Sequence, residues 1–193
     1  MNAKTALGVG TAIAAGIIGI FLVSAFLEEQ ELQTFQCRPT PSNPQGPYYS
    51  AGAPFKEIFG ESLQGERLHL TGMVLNQDCQ PISGAVLDFW HTDSFGNYDH
   101  EGFTLRGRIQ TDQNGEYSLD TIFPEKYGKL GFMRPRHIHL KVHVPDEPTL
   151  TTQLYFENDP NRDIFVKDEL ILKLDESSGL KKSSLDFVIR TKG

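Results

Sequence analysis

The chain has 193 residues, 38% of them hydrophobic and 22% charged, with a formal net charge of −7 and no basic run. That length suits one globular domain plus an appendage, and the acidic balance argues against nucleic acid as a partner. Lys181-Lys182 reads as a solvated turn rather than a basic patch.

In chain order the appendage comes first. Thr5 to Leu27 carries no charge across 23 residues; as a helix rising about 1.5 Å per residue it spans roughly 34 Å, against a hydrocarbon core of about 30 Å. Residues 1–27 therefore read as a transmembrane anchor. Lys4 precedes the run and Glu28, Glu29 and Glu31 follow it, which favours a cytoplasmic N-terminus and a domain outside the cytoplasm. The alternative is a cleaved signal peptide with Val23-Ser24-Ala25 as its small-residue site. The domain touches the membrane through this segment in the first reading and is released in the second.

Residues 28–49 follow as an extended arm, because Pro39, Pro41, Pro44 and Pro47 stand too close together for a helix. Cys37, in this arm, and Cys79 are the only cysteines. In an exported domain they can close a loop of about 40 residues, worth roughly 4 kcal/mol in the chain-entropy model. Two free thiols are the other reading, since spacing does not say whether the side chains meet.

Residues 50–193 are the domain. From Arg67 onward short β-type runs alternate with turn residues: Leu68 to Leu75, Ala85 to His91, Gly107 to Thr111, Glu116 to Leu119, Arg136 to Val144, Thr151 to Phe156, Leu170 to Leu174 and Ser184 to Ile189. Such runs predict an all-β fold, a β-sandwich of about eight strands. Asp112-Gln113-Asn114-Gly115 reads as a hairpin turn. One helix is predicted, Asp159 to Asp168, opening on Asp-Pro-Asn.

The chemistry-bearing residues lie in the turns and in one strand. His137-Ile138-His139 sits in a strand pattern, so both imidazoles point to one face and can reach one ion; a helix would turn them roughly 200° apart. Tyr98 follows the Phe95-Gly96-Asn97 turn, and Tyr127 lies in a loop bounded by Pro124 and Gly128. Loops on a rigid sandwich are where such sites are carried. Taken singly, His-x-His reads as a polar strand face and each Tyr as a half-buried packing residue. His143 shares the parity of the pair but lies about 13 Å from His139 at roughly 3.3 Å per residue, too far for one ion. His91 and His100 are candidate hydrogen-bonding partners around the site, and His69 reads as a plain strand residue.

The string Gly72 to His91, followed by Gly96-Asn97-Tyr98, Arg106-Gly107, Thr111 to Tyr117, Thr121-Ile122-Phe123-Pro124 and Arg134-Pro135-Arg136-His137-Ile138-His139, resembles the intradiol ring-cleavage dioxygenases. The arm segment Gly46-Pro47-Tyr48-Tyr49 is similar to that family's entry to the domain, and the likeness runs from about Thr40 to Phe156. The resemblance implies a ferric ion, Fe(3+), held by Tyr98, Tyr127, His137 and His139 with a hydroxide. This is neutral overall and can be buried. Zinc is the competing metal, but two phenolates are hard oxygen donors and suit a trivalent ion better.

The same resemblance implies a catechol-type substrate and O2, cleavage of the ring between its two hydroxyls to a cis,cis-muconate, and displacement of Tyr127 by the entering substrate. Arg134 corresponds to a guanidinium beside the ring carbon that gathers charge, and Gln153 to a glutamine touching the substrate or its oxygen. Tyr48 and Arg106 are candidate contacts to a ring substituent. The helical N-terminal dimerisation region of the catechol-type enzymes has no counterpart here, so an oligomer is possible but its arrangement is open. Two other readings compete: a non-catalytic extracellular sandwich, which Gly72 to Phe89 with Thr111 to Leu119 also resembles, and an iron-binding protein without turnover.

Overall fold

Alternation along the strands decides what each face meets, and in this protein both faces of the larger sheet are covered. The computed structural model describes residues 37–129 and 132–192. The predicted anchor, residues 1–27, and the first part of the arm lie outside that range. Among the described residues no helix is long and apolar enough to cross a membrane.

Among the described residues eleven strands form: β1 (Arg67–Leu75), β2 (Val86–His91), β3 (Arg106–Gln110), β4 (Glu116–Ile122), β5 (Tyr127–Lys129), β6 (Phe132–Arg134), β7 (His137–His143), β8 (Leu150–Phe156), β9 (Ile171–Leu172), β10 (Lys181–Ser184) and β11 (Phe187–Val188). β4 lies antiparallel to β1, while β10 and β11 pair in parallel with successive stretches of β1. The second sheet has the order β3-β2-β7-β8-β9, and β5 and β6 make a separate two-stranded hairpin. Leu68, Leu70, Val74, Tyr117 and Leu119 of the first sheet pack against Leu87, Phe89, Ile138, Leu140, Val142 and Leu154 of the second to form the core. That is the expected sandwich.

Four local expectations are corrected. Asp112–Gly115 does turn, with Asp112 Oδ1 accepting from the N–H groups of Asn114 and Glu116 at 2.8 Å each. It is not a hairpin, because β3 pairs with β2 and β4 with β1; the turn is an arch between sheets. The predicted helix Asp159 to Asp168 is a loop, with a 3-10 turn only at Asp168–Leu170. Asp159 and Asp163 bond the backbone N–H groups of Asn161 and Phe165, the local competition that keeps Asp and Asn out of helix interiors. Tyr127 is not in a loop but opens β5. The predicted Ser184 to Ile189 strand divides into β10 and β11.

The arm closes the sandwich. Cys37 is disulfide-bonded to Cys79, with Cα atoms 5.3 Å apart, so the pairing left open by the sequence is made. Farther on, the 54–59 segment straps the two sheets together at one edge. Lys56 N–H donates to Arg108 O at 3.0 Å and Arg108 N–H to Pro54 O at 2.8 Å, while Asp120 N–H donates to Glu57 O at 2.9 Å and Phe59 N–H to Asp120 O at 2.7 Å. Between these points, arm residues Asn43 to Tyr49 lie on the face of the second sheet that points away from the core. That face carries Asp88, Trp90, His137, His139, Gln153 and Tyr155, set opposite one another by the register His137↔Tyr155, His139↔Gln153 and Trp90↔His139.

Candidate metal centre

β7 delivers both histidines to that outer face, as the period of two requires. His137 and His139 are 2% and 1% exposed, and their Nε2 atoms stand 3.1 Å apart. The His137 Nδ1–H donates to the Pro135 carbonyl at 2.6 Å. A carbonyl can only accept, so the His137 proton sits on Nδ1 and the Nε2 lone pair faces into the cluster. Burial, then the nearby Arg134, holds the His137 pKa down at about 4. Burial and His137 push His139 well below its usual range. Both rings are therefore neutral at pH 7, the form that ligates metals.

Tyr98 and Tyr127 complete the cluster. Tyr98 Oη lies 3.4 Å from His137 Nε2, and the Tyr98 and Tyr127 ring centroids are 5.3 Å apart. Their two segments are stitched together. Asp93 Oδ1 accepts from the N–H groups of Phe95 and Asn97 at 2.8 Å each, and Glu125 N–H donates to Asp93 O at 3.0 Å. Gly96, at φ +84°, lets the turn close on the Tyr127 segment, since a Cβ there would meet Lys126 O at 2.5 Å. Burial and the neighbouring Tyr127 raise the Tyr98 pKa, so its phenolate calls for a cation beside it.

The donor set fits a ferric ion. Two imidazole nitrogens bound at right angles to one ion, each at about 2.1 Å, stand about 3 Å apart, which matches the His137–His139 spacing. Two phenols add hard oxygen donors suited to a trivalent metal. Among the described residues no cluster of three or more His, Cys, Asp or Glu offers another metal site.

The surroundings hold the donors in place. The Trp90 indole stacks on His139 at 4.9 Å and 8°. His139 also meets the arm at Gly46, whose φ of +73° favours glycine and where a Cβ would press on the ring, 3.2 Å from His139 Cε1. Tyr48 stacks on Tyr98 at 4.3 Å, and exposed His100 touches Tyr48 edge-on at 5.6 Å. Arg106 is 3% exposed. Its guanidinium donates to the carbonyls of Asp99 and Tyr48, so it ties the Tyr98 loop to the arm.

Arg134 donates from Nη2 to Gln153 Oε1 at 2.9 Å and from Nε to Asp163 at 2.8 Å. His91 lies on the core side of β2 and bonds the Thr92 carbonyl and the Thr121 hydroxyl. His69 pairs with Asp120 across β1 and β4, and His143 with Thr149. Sequence reading missed Gly46, Trp90, Tyr155 and Asp163. Gly46 and Trp90 left a trace, as parts of the Gly-Pro-Tyr-Tyr segment and of the Gly72 to His91 string.

A dioxygenase family model matches residues 45–193. The chain is 31% identical over 178 residues to the intradiol ring-cleavage dioxygenase prcA of Aspergillus niger, covering 77% of this chain and 56% of that protein. It is 33% identical to chlorocatechol 1,2-dioxygenase of Rhodococcus opacus, covering 71% of this chain and 65% of that one. It thus spans about three-fifths of the length of these relatives. Among solved structures, the dioxygenase domain of a carbohydrate-binding fusion protein from Streptomyces sp. SirexAA-E matches with a TM-score of 0.75 and 35% identity, over 80% of this chain and all of that one. With a family model matched from Gln45, just before Gly-Pro-Tyr-Tyr, through residue 193, and a sandwich of the same fold, the chain belongs to the intradiol ring-cleavage dioxygenase family.

Proposed function

We propose that this domain is an Fe(III) dioxygenase that opens a catechol-type ring between its two hydroxyls with O2, giving a cis,cis-muconate-type product. Members of the family use non-haem iron, and Tyr98, Tyr127, His137 and His139 are the residues that would hold it. The observation that carries the reading is the convergence of two neutral imidazole Nε2 atoms, 3.1 Å apart, with the Tyr98 hydroxyl 3.4 Å from one of them. Bound there, a ferric ion would chelate both catechol oxygens and draw electron density from the ring, making it reactive toward O2.

The chain's own residues do the rest. Tyr127 is only half-buried and is the cross-strand neighbour of Arg134. As a phenolate Tyr127 could accept a proton from the entering catechol at its Oη while staying beside the Arg134 guanidinium. Tyr98 is almost fully buried, stacked against Tyr48, and remains. His137 and His139 keep their orientation through Pro135 O and Trp90. Arg134 supplies a fixed positive charge where negative charge develops on the ring. Tyr48, stacked on Tyr98 and edge-on to Tyr127, is the aromatic side chain that would meet a ring substituent.

Supplying iron to the purified protein and following O2 uptake with a panel of catechols tests this. Stoichiometric uptake with a muconate-type product is expected; no uptake with any catechol, despite bound iron, overturns it. We also infer that the domain works outside the cytoplasm, attached through residues 1–27 or released after their cleavage. Support comes from the Cys37–Cys79 disulfide, which belongs to an oxidising compartment.

A further inference from the structure

Arg134 is gripped from two sides. Its Nε–H donates to Asp163 Oδ2 at 2.8 Å, and its Nη2 donates to Gln153 Oε1 at 2.9 Å and reaches Tyr155 Oη at 3.5 Å. The Phe165 ring lies under the guanidinium, 5.2 Å from Cζ to the ring centroid. The Arg134 and Asp163 side chains are only 21% and 22% exposed, so this pair escapes most of the screening that makes surface pairs weak.

Each partner is itself immobilised. Asp163 Oδ1 accepts from Phe165 N–H at 2.9 Å, closing the turn that brings Phe165 beneath Arg134. Asn43 of the arm donates to Phe165 O at 3.1 Å. Gln153 cannot turn over, because its Nε2 donates to Pro44 O at 2.7 Å while its Oε1 accepts from both Arg134 and, at 3.1 Å, Tyr155 Oη. The loop at 159–167, the arm and β8 thus meet at one guanidinium.

We propose that Asp163 is a positioning residue for ring cleavage: its carboxylate, opposing Gln153 and Tyr155, fixes the Arg134 guanidinium in one orientation beside the four candidate metal donors. This rests on the function proposed above. Gln153 and Tyr155 hold a single nitrogen, about which the flexible arginine stem can swing; a second bond at Nε removes that freedom. Arginine's planar fork is suited to such two-edged fixation, and a displacement of about 1 Å of a charge-stabilising group costs on the order of 100-fold in rate.

The test compares the full-length protein with Asp163→Ala, Asp163→Asn, Arg134→Ala and the Arg134→Ala/Asp163→Ala pair. Iron content and the tyrosinate absorption band should be unchanged throughout. Asp163→Ala is expected to lower kcat roughly 10- to 100-fold, with the KM for catechol moving less than about 3-fold. Asp163→Asn keeps the Phe165 turn but not the charge, and should fall between wild type and Asp163→Ala.

The double variant should be no slower than Arg134→Ala alone, because Asp163 acts only through Arg134. A wild-type kcat in Asp163→Ala, or independent losses in the double variant, overturns the proposal. If the wild-type protein cleaves no catechol, the functional reading fails separately. Amide hydrogen exchange then decides the clamp: Asp163→Ala should lose protection over Tyr127–Lys129 and Phe132–Arg134, and unchanged protection there overturns it.

Discussion

Tyr127 and Arg134 are directly paired across β5 and β6, so the half-buried phenol and the cation beside it are carried on one two-stranded unit. Replacing Arg134 by Gln should therefore lower kcat about 100-fold, the usual cost of removing one charge-stabilising donor, while iron content stays at wild-type level. Joint loss of iron and activity would show instead that Arg134 is needed to hold the donor set.

His139 is confined between Trp90 and the arm. His139→Ala should abolish iron binding, read by metal analysis and by the missing tyrosinate band. Gly46→Ala is the more discriminating change: its positive φ and the 3.2 Å approach to His139 Cε1 should cost about 1 kcal/mol of stability. It should also weaken iron affinity about 10-fold, as changes around a ligand do. Wild-type affinity in Gly46→Ala would show that the arm does not set the imidazole.

Trp90 is the only tryptophan in the chain, and it stacks on His139 at 4.9 Å. Iron binding should quench most of the protein's intrinsic indole fluorescence in proportion to metal occupancy. An unquenched signal at full iron loading would place the metal away from His139.

Reduction of Cys37–Cys79 should destabilise the domain by roughly 4 kcal/mol in the chain-entropy model, measured as a lower Tm. The arm between that link and the strap supplies Gly46, Pro44 and Tyr48 to the site, so a rise in KM for catechol should accompany it. A Tm unaffected by reductant would mean that the strap alone secures the arm.

Buried histidines set the acid limit. Burial first, then the charges of Lys56 and Arg106, holds His91 down from 6.5 to about 4, although its bond to the Thr92 carbonyl opposes this. The unfolded chain takes up the proton near 6.5 and the folded protein only near 4, so the stability this group contributes is present above 6.5 and lost as pH falls through 4. His137, also depressed to about 4, acts in the same sense. The Tm of the iron-free protein should fall steeply over this window; His91→Gln should flatten the fall, and an unaltered profile would remove His91 as its source.

Much of this was legible beforehand because it is local. Period-two alternation marks β7 and places His137 and His139 on one face, and the ordered likeness to a family supplies Tyr98, Tyr127, Arg134 and Gln153. Asp159 to Asp168 reads as a helix in sequence because Asp-Pro-Asn is a genuine helix-start signal. Asp159 and Asp163 instead satisfy the backbone of Asn161 and Phe165, which leaves Asp163 free to meet Arg134. The β5–β6 hairpin was missed because three-residue strands show too few alternations to be read.

The sequence by itself determined the longer strands and which of their residues share a face, both properties of neighbours along the chain; the full donor set came only with the likeness to a family. Only the tertiary structure decided what lies against them. Trp90 over His139, Gly46 beside it, Asp163 on Arg134 and Cys37 on Cys79 join segments distant in the chain. Such contacts follow from strand order, register and the path of the arm, which depend on long-range packing and leave no periodic mark in the residues themselves.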